Sequence, residues 1–356
     1  MRKEVVFVIN PGSTSTKIAL FSRDGVEYQE TVDHTGTKIC EMVSILDQIP
    51  LRREIIEKRL KEWLGENKKL VAVIGRGGLL RPIESGVYRV NEKMLDDLRN
   101  CRYGVHASNM GALLAEQISK DFGVPAFIAD PVTVDEMLPE ARISGVPEIK
   151  RRSRAHVLNT KACVREEAKR RGKKLEETRF IVAHMGGGIT VAPFDGGKMV
   201  DCNDALLGMG PFSPERAGAL PIAGVLDLAF SGKYTREELE KKFIKNSGLK
   251  AYLGTSNVKE VIDRIRKGDK EAELVFNAMI YQVAKEIGAM ATVLKGKIDA
   301  IIITGGMARS EFVVKKIKER VGFIADVVVY PGENEMKALA DNAFRALDEV
   351  EIVKEY

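Results

Sequence analysis

Residues 5–17, VVFVINPGSTSTK, place a continuous apolar run directly before a turn of small and hydroxyl-bearing residues. The run at residues 5–9 is rich in β-branched side chains, which favours a buried strand. Residues 11–16 interrupt this strand, and the apolar pattern resumes over residues 17–21. A further turn precedes a third strand over residues 27–33, so the chain is predicted to open with a β-meander.

The same plan recurs at residues 179–188, RFIVAHMGGG, where an apolar strand ends in a polar residue and a glycine turn follows. Return strands are predicted over residues 189–194 and 198–202. Elsewhere strands alternate with helices, which is typical of α/β proteins. These further strands are predicted at residues 70–74, 125–129, 300–304 and 325–330, and the helices at residues 40–64, 107–120, 271–294 and from residue 335. The repetition predicts two lobes with a boundary near residues 148–153.

Composition excludes several classes of protein. The 356 residues carry a net charge of +5 and only 6% aromatic residues, whereas nucleic-acid-binding proteins usually show a basic stripe beside aromatics. The N-terminal apolar run is broken at Asn10, and no apolar stretch reaches about 18 residues, so neither a signal peptide nor a membrane span is expected. Without a CxxC pair, the cysteines are expected to be free thiols of a cytoplasmic protein. They are Cys40, Cys101, Cys163 and Cys202.

Three glycine-containing turns follow predicted strands, and each is a candidate phosphate site. Glycine lets backbone N–H groups approach an anion closely, and successive N–H groups form a concave phosphate nest. Each turn alone is routine in hairpins, but three at equivalent strand ends predict two lobes that close on one phosphate chain. The P-loop, dinucleotide-binding and protein-kinase motifs are absent. The candidate residues are Gly12, Ser13, Thr14, Gly186, Gly187, Gly188, Gly305 and Gly306.

Charged residues follow two of the predicted strands. Arg76 comes directly after residues 70–74 and Gly75, and Asp130 follows residues 125–129. Ligands of α/β sheets bind beyond the carboxyl ends of strands, where an acid suits Mg²⁺ and an arginine suits a carboxylate or phosphate. A simple salt bridge for Arg76, and a helix cap or turn for Asp130, are equally consistent with the sequence.

Four histidines and one further arginine complete the candidates. No histidine pair has metal-ligand spacing, so a zinc site is not expected. His184 ends a strand directly before a glycine turn, and His106 stands at a predicted helix start, although either could be a hydrogen-bonded core histidine. His34 and His156 are expected at the surface or as caps. Arg216 is surrounded by prolines and small residues, which makes it a candidate site residue. It could equally be the start of a surface helix.

In combination these segments resemble the acetate and butyrate kinase family of the actin-like ATPase superfamily. Residues 10–17, NPGSTSTK, and 184–188, HMGGG, look like the two phosphate signatures of that family. Residues 305–307 look like its adenosine motif, and residues 331–335 like its late Asn-Glu segment. The resemblance covers nearly the whole chain in the same order. It implies a duplicated actin-like, ribonuclease H-like α/β fold of two lobes with a nucleotide cleft between them.

The lobes implied by the resemblance are residues 1–150, joined by a C-terminal helix at 337–356, and residues 151–336, which carry the adenosine site. Residues 214–218 and 129–134 depart from the acetate kinase pattern and resemble the butyrate kinase branch. The resemblance therefore implies reversible, ATP-dependent phosphorylation of butyrate or a similar short-chain carboxylate by in-line transfer. An acetate, propionate or branched-chain fatty acid kinase, a sugar kinase and a non-catalytic ATP switch remain alternatives.

The resemblance also implies roles for single residues. Arg76 and Arg216 would flank the acceptor carboxylate and the moving phosphoryl group, which His184 would contact with help from His106. The implied cofactors are ATP or ADP and Mg²⁺, and a homodimer or higher homo-oligomer is expected. Mg²⁺ would be organised, through water, by Asp130 and Glu335. The nucleotide would be held by Asn10, Gly12, Ser13, Thr14 and Lys17, by Gly186, Gly187 and Gly188, and by Gly305 and Gly306.

Overall fold

The computed structural model describes residues 2–42 and 44–356, and the side chain of Cys40 lies outside this description. The strands of this part of the chain are β1 (Lys3–Pro11), β2 (Ser15–Ser22), β3 (Gly25–Asp33), β4 (Lys68–Arg76), β5 (Val87–Arg89), β6 (Ala126–Ala129), β7 (Arg179–Met185), β8 (Ile189–Asp195), β9 (Lys198–Met199), β10 (Ala300–Gly305) and β11 (Val327–Pro331). The helices are α1 (Lys38–Glu41), α2 (Ile49–Leu64), α3 (Glu92–Arg99), α4 (Asn109–Phe122), α5 (Val157–Arg170), α6 (Ile222–Ala229), α7 (Arg236–Lys245), α8 (Gly248–Leu253), α9 (Val258–Arg266), α10 (Lys270–Val293), α11 (Glu311–Val321) and α12 (Glu335–Leu347).

The chain divides into two compact units. The first consists of Met1–Asp135 and Asn334–Tyr356, and the second of Glu136–Glu333. The sequence suggested a division near residue 150, but the chain after Asp135 already bonds within the second unit. Leu138 N donates to Val200 O at 2.9 Å, and Lys161 Nζ donates to Glu136 Oε2 at 2.7 Å.

The sheet of the first unit has the strand order β3-β2-β1-β4-β6-β5. Strands β1, β2 and β3 form an antiparallel meander, and β1, β4 and β6 run parallel to one another. Val5, Phe7 and Ile9 lie in an apolar cluster with residues of α2 and α4, and α12 also contacts β1. Because successive side chains point to opposite faces, burial on both faces explains why β1 is apolar without alternation.

The sheet of the second unit has the strand order β11-β10-β7-β8-β9. Here β7, β8 and β9 form the antiparallel meander, and β7, β10 and β11 run parallel. The order of the first sheet, leaving aside its edge strand β5, is therefore repeated strand for strand. Helix α10 covers this sheet with Phe276, Ile280 and Ile287, which share an apolar cluster with residues of β7, β8 and β10.

Two close backbone approaches fix strand ends of these sheets. A Cβ at Gly75 would lie 2.2 Å from Gly111 O, so only glycine lets α4 pack this closely on β4. In the second unit, Gly305 has φ +89°, and a Cβ there would lie 2.4 Å from Met185 O. Gly75 directly precedes Arg76, and Gly305 contacts Met185, which directly precedes the second glycine turn.

Two predicted elements are shorter than expected. The helix predicted over residues 40–64 is divided into α1 and α2, because the Ser44 hydroxyl accepts from Leu46 N and a turn precedes Ile49. The strand predicted over residues 198–202 ends at Met199. Beyond it, Asp201 Oδ1 accepts from Cys202 N at 2.7 Å, so a side chain takes the place of a ladder partner.

Cys163 and Cys202 are buried free thiols, and Cys101 is a half-buried one. Burial raises the pKa of Cys163 and of Cys202 to about 11, so both stay protonated near neutral pH. In the part of the chain with described coordinates, no helix combines the length and apolarity needed to cross a bilayer.

Candidate functional site

Three predicted residues of the first unit meet at the carboxyl ends of its central strands. Asn10 lies near the end of β1, Arg76 ends β4, and Glu335 begins α12. Arg76 Nη1 donates to Glu335 Oε2 at 2.7 Å, and Asn10 Nδ2 donates to the same oxygen at 2.9 Å. The Arg76 and Glu335 side chains are 21% and 10% exposed, so this ion pair is largely shielded from water. Asn10 and Arg76, which were predicted separately, therefore share a carboxylate brought by α12.

Asp130 lies beside this group at the end of the neighbouring strand. Ala129 pairs with Arg76 across β6 and β4, and Asp130 follows it directly. Asp130 is 2% exposed, and its backbone has φ +42°. Residues other than glycine adopt this conformation at a cost of about 1 kcal/mol or more. Its Oδ1 accepts from Gly86 N at 2.9 Å. Asp130 is thus a buried, strained acid rather than the cap of a helix.

Asp130 and Glu335 were predicted to organise Mg²⁺, and their surroundings fit that ion. Glu335 accepts a hydrogen bond from Arg76, and Asp130 follows Ala129, the residue that pairs with Arg76 in the strand register. Within residues 2–42 and 44–356, no three His, Cys, Asp or Glu side chains form a cluster that could hold a metal ion alone. Mg²⁺ keeps several waters and is usually held by one or two carboxylates together with substrate phosphates. Two carboxylates at one strand edge meet that need.

The first predicted phosphate turn is open to solvent. Gly12 N donates to Ser15 O at 2.7 Å, which closes the turn between β1 and β2. Ser13, Thr14 and Lys17 are exposed, and Lys17 lies opposite Asn10 in the strand register. Hydroxyl, backbone and ammonium donors are therefore available on one exposed turn.

His34 was expected at the surface or as a cap, and this expectation is wrong. Its side chain is 1% exposed, and Nε2 lies 2.9 Å from the hydroxyl of Thr16 beneath the first turn. Burial lowers the pKa of His34, and the nearby Arg52 guanidinium lowers it further. The imidazole is therefore neutral near pH 7.

His106 lies in the exposed segment before α4 rather than in the core. Its Nδ1 accepts from Ser108 N at 3.1 Å, and the Ser108 hydroxyl is 2.7 Å away. Because a backbone N–H can only donate, Nδ1 is an acceptor, and the neutral ring carries its hydrogen on Nε2.

His184 is the buried polar residue at the end of β7, directly before the second glycine turn. Asn159 Nδ2 donates to Gly332 O at 3.3 Å, which leaves Asn159 Oδ1 facing His184 Nδ1, also at 3.3 Å. Nδ1 therefore carries a hydrogen, and Nε2 points away from Asn159. No group among the described residues forms a hydrogen bond with Nε2, which lies 3.3 Å from Glu333 Oε1. A buried ring nitrogen in this state is suited to receive a ligand.

His156 is a residue of this site that the sequence did not identify. Its ring stacks on His184 with the centroids 3.9 Å apart and the planes 9° from parallel. His156 Nδ1 lies 2.8 Å from the hydroxyl of Thr190, which pairs with His184 across β7 and β8. His156 stands at the N-terminus of α5, and the contact arises because this helix begins over the end of β7. No spacing in the sequence indicates such a contact.

Arg216 lies against the second glycine turn and does not begin a helix. A Cβ at Gly188 would lie 2.1 Å from Arg216 Nη1, so the guanidinium occupies the space that glycine leaves. Arg216 Nη1 donates to Ala205 O, and the Ser213 hydroxyl donates to Gly187 O at 2.5 Å. Burial lowers the pKa of Arg216 from its usual value. The structure thus joins the predicted Gly186–Gly188 turn to the predicted arginine.

Gly306 lies beside a cavity of about 600 Å³ in the second unit. The neighbouring Gly305 is required by its positive φ and its contact with Met185, whereas a Cβ at Gly306 would meet nothing within 4 Å. The cavity combines apolar side chains with polar groups at its wall, as ligand sites do. Its lining includes Asn257, Val258, Lys259, Ile262, Gly306, Arg309 and Phe312.

Known proteins resemble this chain at two levels. The model of the acetokinase family matches residues 147–344. An acetate kinase from Porphyromonas gingivalis superposes with a TM-score of 0.80 at 19% identity, covering 97% of this chain and 100% of that one. An acetate kinase from Entamoeba histolytica gives 0.77 at 18% identity, covering 97% of this chain and 100% of that one. A propionate kinase from Francisella tularensis gives 0.73 at 19% identity, covering 95% and 98%. These superpositions confirm the predicted duplicated actin-like α/β fold.

The burial of His34 predicts a specific loss of stability in mild acid. The folded-state pKa of His34 lies below its ordinary value of 6.5, so the unfolded chain takes up a proton first. Its contribution to the free energy of unfolding is therefore complete above about pH 6.5 and is lost as the pH falls below that value. Urea unfolding of the wild type and of His34→Gln, at about pH 8 and about pH 5.5, measures it. The wild type should lose more free energy of unfolding than the variant, and equal losses would contradict this account.

Proposed function

Because the chain belongs to the acetokinase family, we propose that it reversibly transfers a phosphoryl group between ATP and a short-chain carboxylate, with butyrate as the main acceptor. Membership of the family makes the chain a kinase that acts on a carboxyl group. The observation that supports a phosphoryl site most directly is the buried Nε2 of His184, which has no hydrogen-bond partner among the described residues and precedes the turn that Arg216 contacts.

Phosphoryl transfer to a carboxylate requires mainly that the substrates are positioned and that developing charge is neutralised. A carboxylate has a reference pKa of about 4 and is already ionised near neutral pH, so no general base is required. The carboxylate oxygen attacks the terminal phosphorus in line, the bond to the bridging oxygen breaks, and ADP leaves. Charge develops on the equatorial oxygens of the moving group, where fixed donors and cations stabilise it.

In the first unit, Arg76 would grip an anionic group of the substrates with Nη1 now bonded to Glu335. Asn10 would orient that group, and the exposed turn at Ser13 and Thr14 would bind phosphate oxygens. When bound, Mg²⁺ would neutralise phosphate charge, with Asp130 and Glu335 holding its water shell. His106 would act as a donor through Nε2.

In the second unit, the orientation of His184 is set by Asn159, so that Nε2 would contact the phosphoryl group being transferred. Arg216 would contribute a fixed positive charge beside the Gly186–Gly188 turn, which would bind phosphate through its backbone N–H groups. His156, stacked on His184, would keep that ring in place and could contact the same group. Adenosine would occupy the cavity beside Gly306.

Butyrate as acceptor rests on two short segments of sequence. Residues 214–218, around Arg216, and residues 129–134, around Asp130, depart from the acetate kinase pattern towards the butyrate kinase branch. One methylene changes discrimination by only about 1–3 kcal/mol, so acetate or propionate fits the family equally well. Residues 129–134 begin at the end of β6, and Arg216 of the other segment lies against Gly188.

Acyl-hydroxamate formation with ATP and Mg²⁺ tests the function directly. The panel contains acetate, propionate, butyrate, isobutyrate and valerate, with glycerol and glucose tested for ATP consumption as controls. We expect the highest kcat/KM with butyrate and no turnover of the two alcohols, because a hydroxyl needs a base that a carboxylate does not. A maximum at acetate or propionate would keep the reaction and reject the butyrate assignment. ATP-dependent turnover of glucose alone would favour a sugar kinase.

The contact between Gly188 and Arg216 makes a second prediction. Gly188→Ala places a methyl group where the Arg216 guanidinium lies, so it should lower kcat for the best acid about a hundredfold or more. Gly288→Ala is the matched control, because Gly288 lies within α10 and a Cβ there would meet nothing within 4 Å. Both variants are compared with the wild type for acyl-hydroxamate formation and for thermal unfolding.

Arg216→Ala separates a kinase from a non-catalytic ATP switch. As a kinase, the variant should lose phosphoryl transfer while it still binds ATP, which calorimetry measures. Transfer at the wild-type rate in Gly188→Ala and in Arg216→Ala would reject the role of Arg216. A wild type that binds ATP but phosphorylates no acid would instead support the switch.

We also propose that the chain forms a homodimer through α6. Ile222, Leu226 and Phe230 on or next to this helix are 77%, 50% and 85% exposed. A mainly apolar cavity of about 470 Å³ lies beside them, lined by residues that include Leu207, Leu220, Val225, Leu239 and Phe243. Contiguous exposed apolar surface of this kind marks an interaction site.

Sedimentation of matched phenylalanine variants tests the dimer. Phe230→Asp should shift the wild-type dimer to a monomer, whereas Phe323→Asp, equally exposed at 88% but after α11, should not. A wild type that sediments as a monomer of 39.4 kDa would reject the proposal. A dimer that resists Phe230→Asp would place the interface elsewhere.

A further inference from the structure

Arg52 on α2 is a fully buried arginine, with 0% of its surface exposed. Its guanidinium lies beneath the turn between β1 and β2. Nη1 donates to Gly12 O at 3.0 Å and to Ser15 O at 3.1 Å, and Nη2 donates to Ser13 O at 2.9 Å. One side chain therefore holds three carbonyl oxygens of a five-residue turn, from a helix that begins more than thirty positions later.

These hydrogen bonds decide which way the backbone of the turn faces. In a trans peptide, the C=O of one residue and the N–H of the next point in opposite directions. Carbonyls of Gly12 and Ser13 that point inward to Arg52 therefore turn the N–H groups of Ser13 and Thr14 outward. Both residues are exposed, and in residues 2–42 and 44–356 neither N–H donates to another group. Successive outward N–H groups form the concave arrangement that binds anions.

The position of Arg52 is itself fixed by buried groups. Gln48, one turn earlier on the chain, accepts from Nε at 3.1 Å and from Nη2 at 2.7 Å through its Oε1. The Thr16 hydroxyl accepts from Nη1 at 2.8 Å and lies 2.9 Å from His34 Nε2. A planar guanidinium bonded on all sides has one orientation, so the turn it carries has one as well.

We propose that Arg52 is a positioning residue, which holds the Gly12–Thr16 turn in the conformation that receives nucleotide phosphates. Arg52 does not touch the ligand, because the turn lies between them. Its loss would let the carbonyls of Gly12 and Ser13 rotate outward, where they would repel phosphate oxygens. The inference rests on the proposed function, since it assigns the phosphates of ATP to this turn.

Binding of ATP, ADP and AMP with Mg²⁺ to the full chain, measured by calorimetry, tests the inference. In Arg52→Gln, the Kd of ATP and of ADP should rise about tenfold or more, while the Kd of AMP stays unchanged because adenosine binds elsewhere. Arg53→Gln is the matched control. This neighbour points to the surface, where it pairs with Glu57 and Asp121, and its loss should change no Kd.

Chemical rescue adds a readout that a purely structural role would not give. Millimolar guanidinium chloride should restore ATP affinity to Arg52→Ala by filling the vacated space, and should leave Arg53→Ala unaffected. Gln48→Ala keeps the Arg52 guanidinium but removes the side chain that fixes its orientation. It should give a smaller loss with the same difference between ATP and AMP, and it serves in place of Arg52→Gln if that variant does not fold.

The outcomes separate this inference from the proposed function. If the wild type binds ATP tightly and Arg52→Gln binds it equally well, the inference is overturned and the proposed kinase function stands. Where Arg52→Gln is unfolded, Gln48→Ala takes its place in this comparison. Equal losses of ATP and AMP affinity overturn it too, because they indicate a general disturbance. A wild type that binds none of the three nucleotides overturns the proposed function, and the inference falls with it.

Discussion

Parallel pairing of β1 with β4, and of β7 with β10, is the constraint on which the rest of the structure depends. Strands that run parallel end at the same edge of the sheet, so residues far apart in sequence meet there. Asn10 and Arg76 come together in this way in the first unit, and Thr304 pairs with His184 in the second. The antiparallel return strands β2 and β8 keep the two glycine turns at those same edges.

Each glycine turn is supported from behind by buried polar side chains. Arg52 and Thr16 lie under the first turn, and in the second unit the buried Ser213 donates its hydroxyl hydrogen to Gly187 O. A buried polar group left without a partner costs about 1–3 kcal/mol, so such groups favour one arrangement over its neighbours. The turns are therefore ordered by the interior of each unit, and their ligand-facing atoms need no contact of their own to stay in place.

Much of the fold could be predicted because it depends on local pattern. Apolar runs predicted the strands, and the rule for parallel strand ends grouped Arg76 with Asp130, which follows the residue paired with Arg76. The contacts of His34 and His156 could not be placed in the same way, although His156 does stand at the cap position of α5, as expected. Their surroundings come from the packing of the first turn and of α5, which leave no periodic signal in the sequence. Arg52 was missed for a related reason, since a single charged residue within an amphipathic helix predicts a solvent-facing position.

Because Arg76 is already paired with Glu335, an anion that binds Arg76 at this edge would replace that carboxylate. An incoming anion would accept the hydrogen bond that Arg76 Nη1 now donates to Glu335. Glu335 would then keep Asn10 as its remaining donor in this group. The released carboxylate then attracts a cation more strongly than it does in the ion pair. By thermodynamic linkage, a cation that engages Glu335 must strengthen the hold of Arg76 on the anion by the same factor. An anion on Arg76 and a cation on Glu335 would thus favour each other's binding, because the ion pair compensates both of these charges when neither ion is bound.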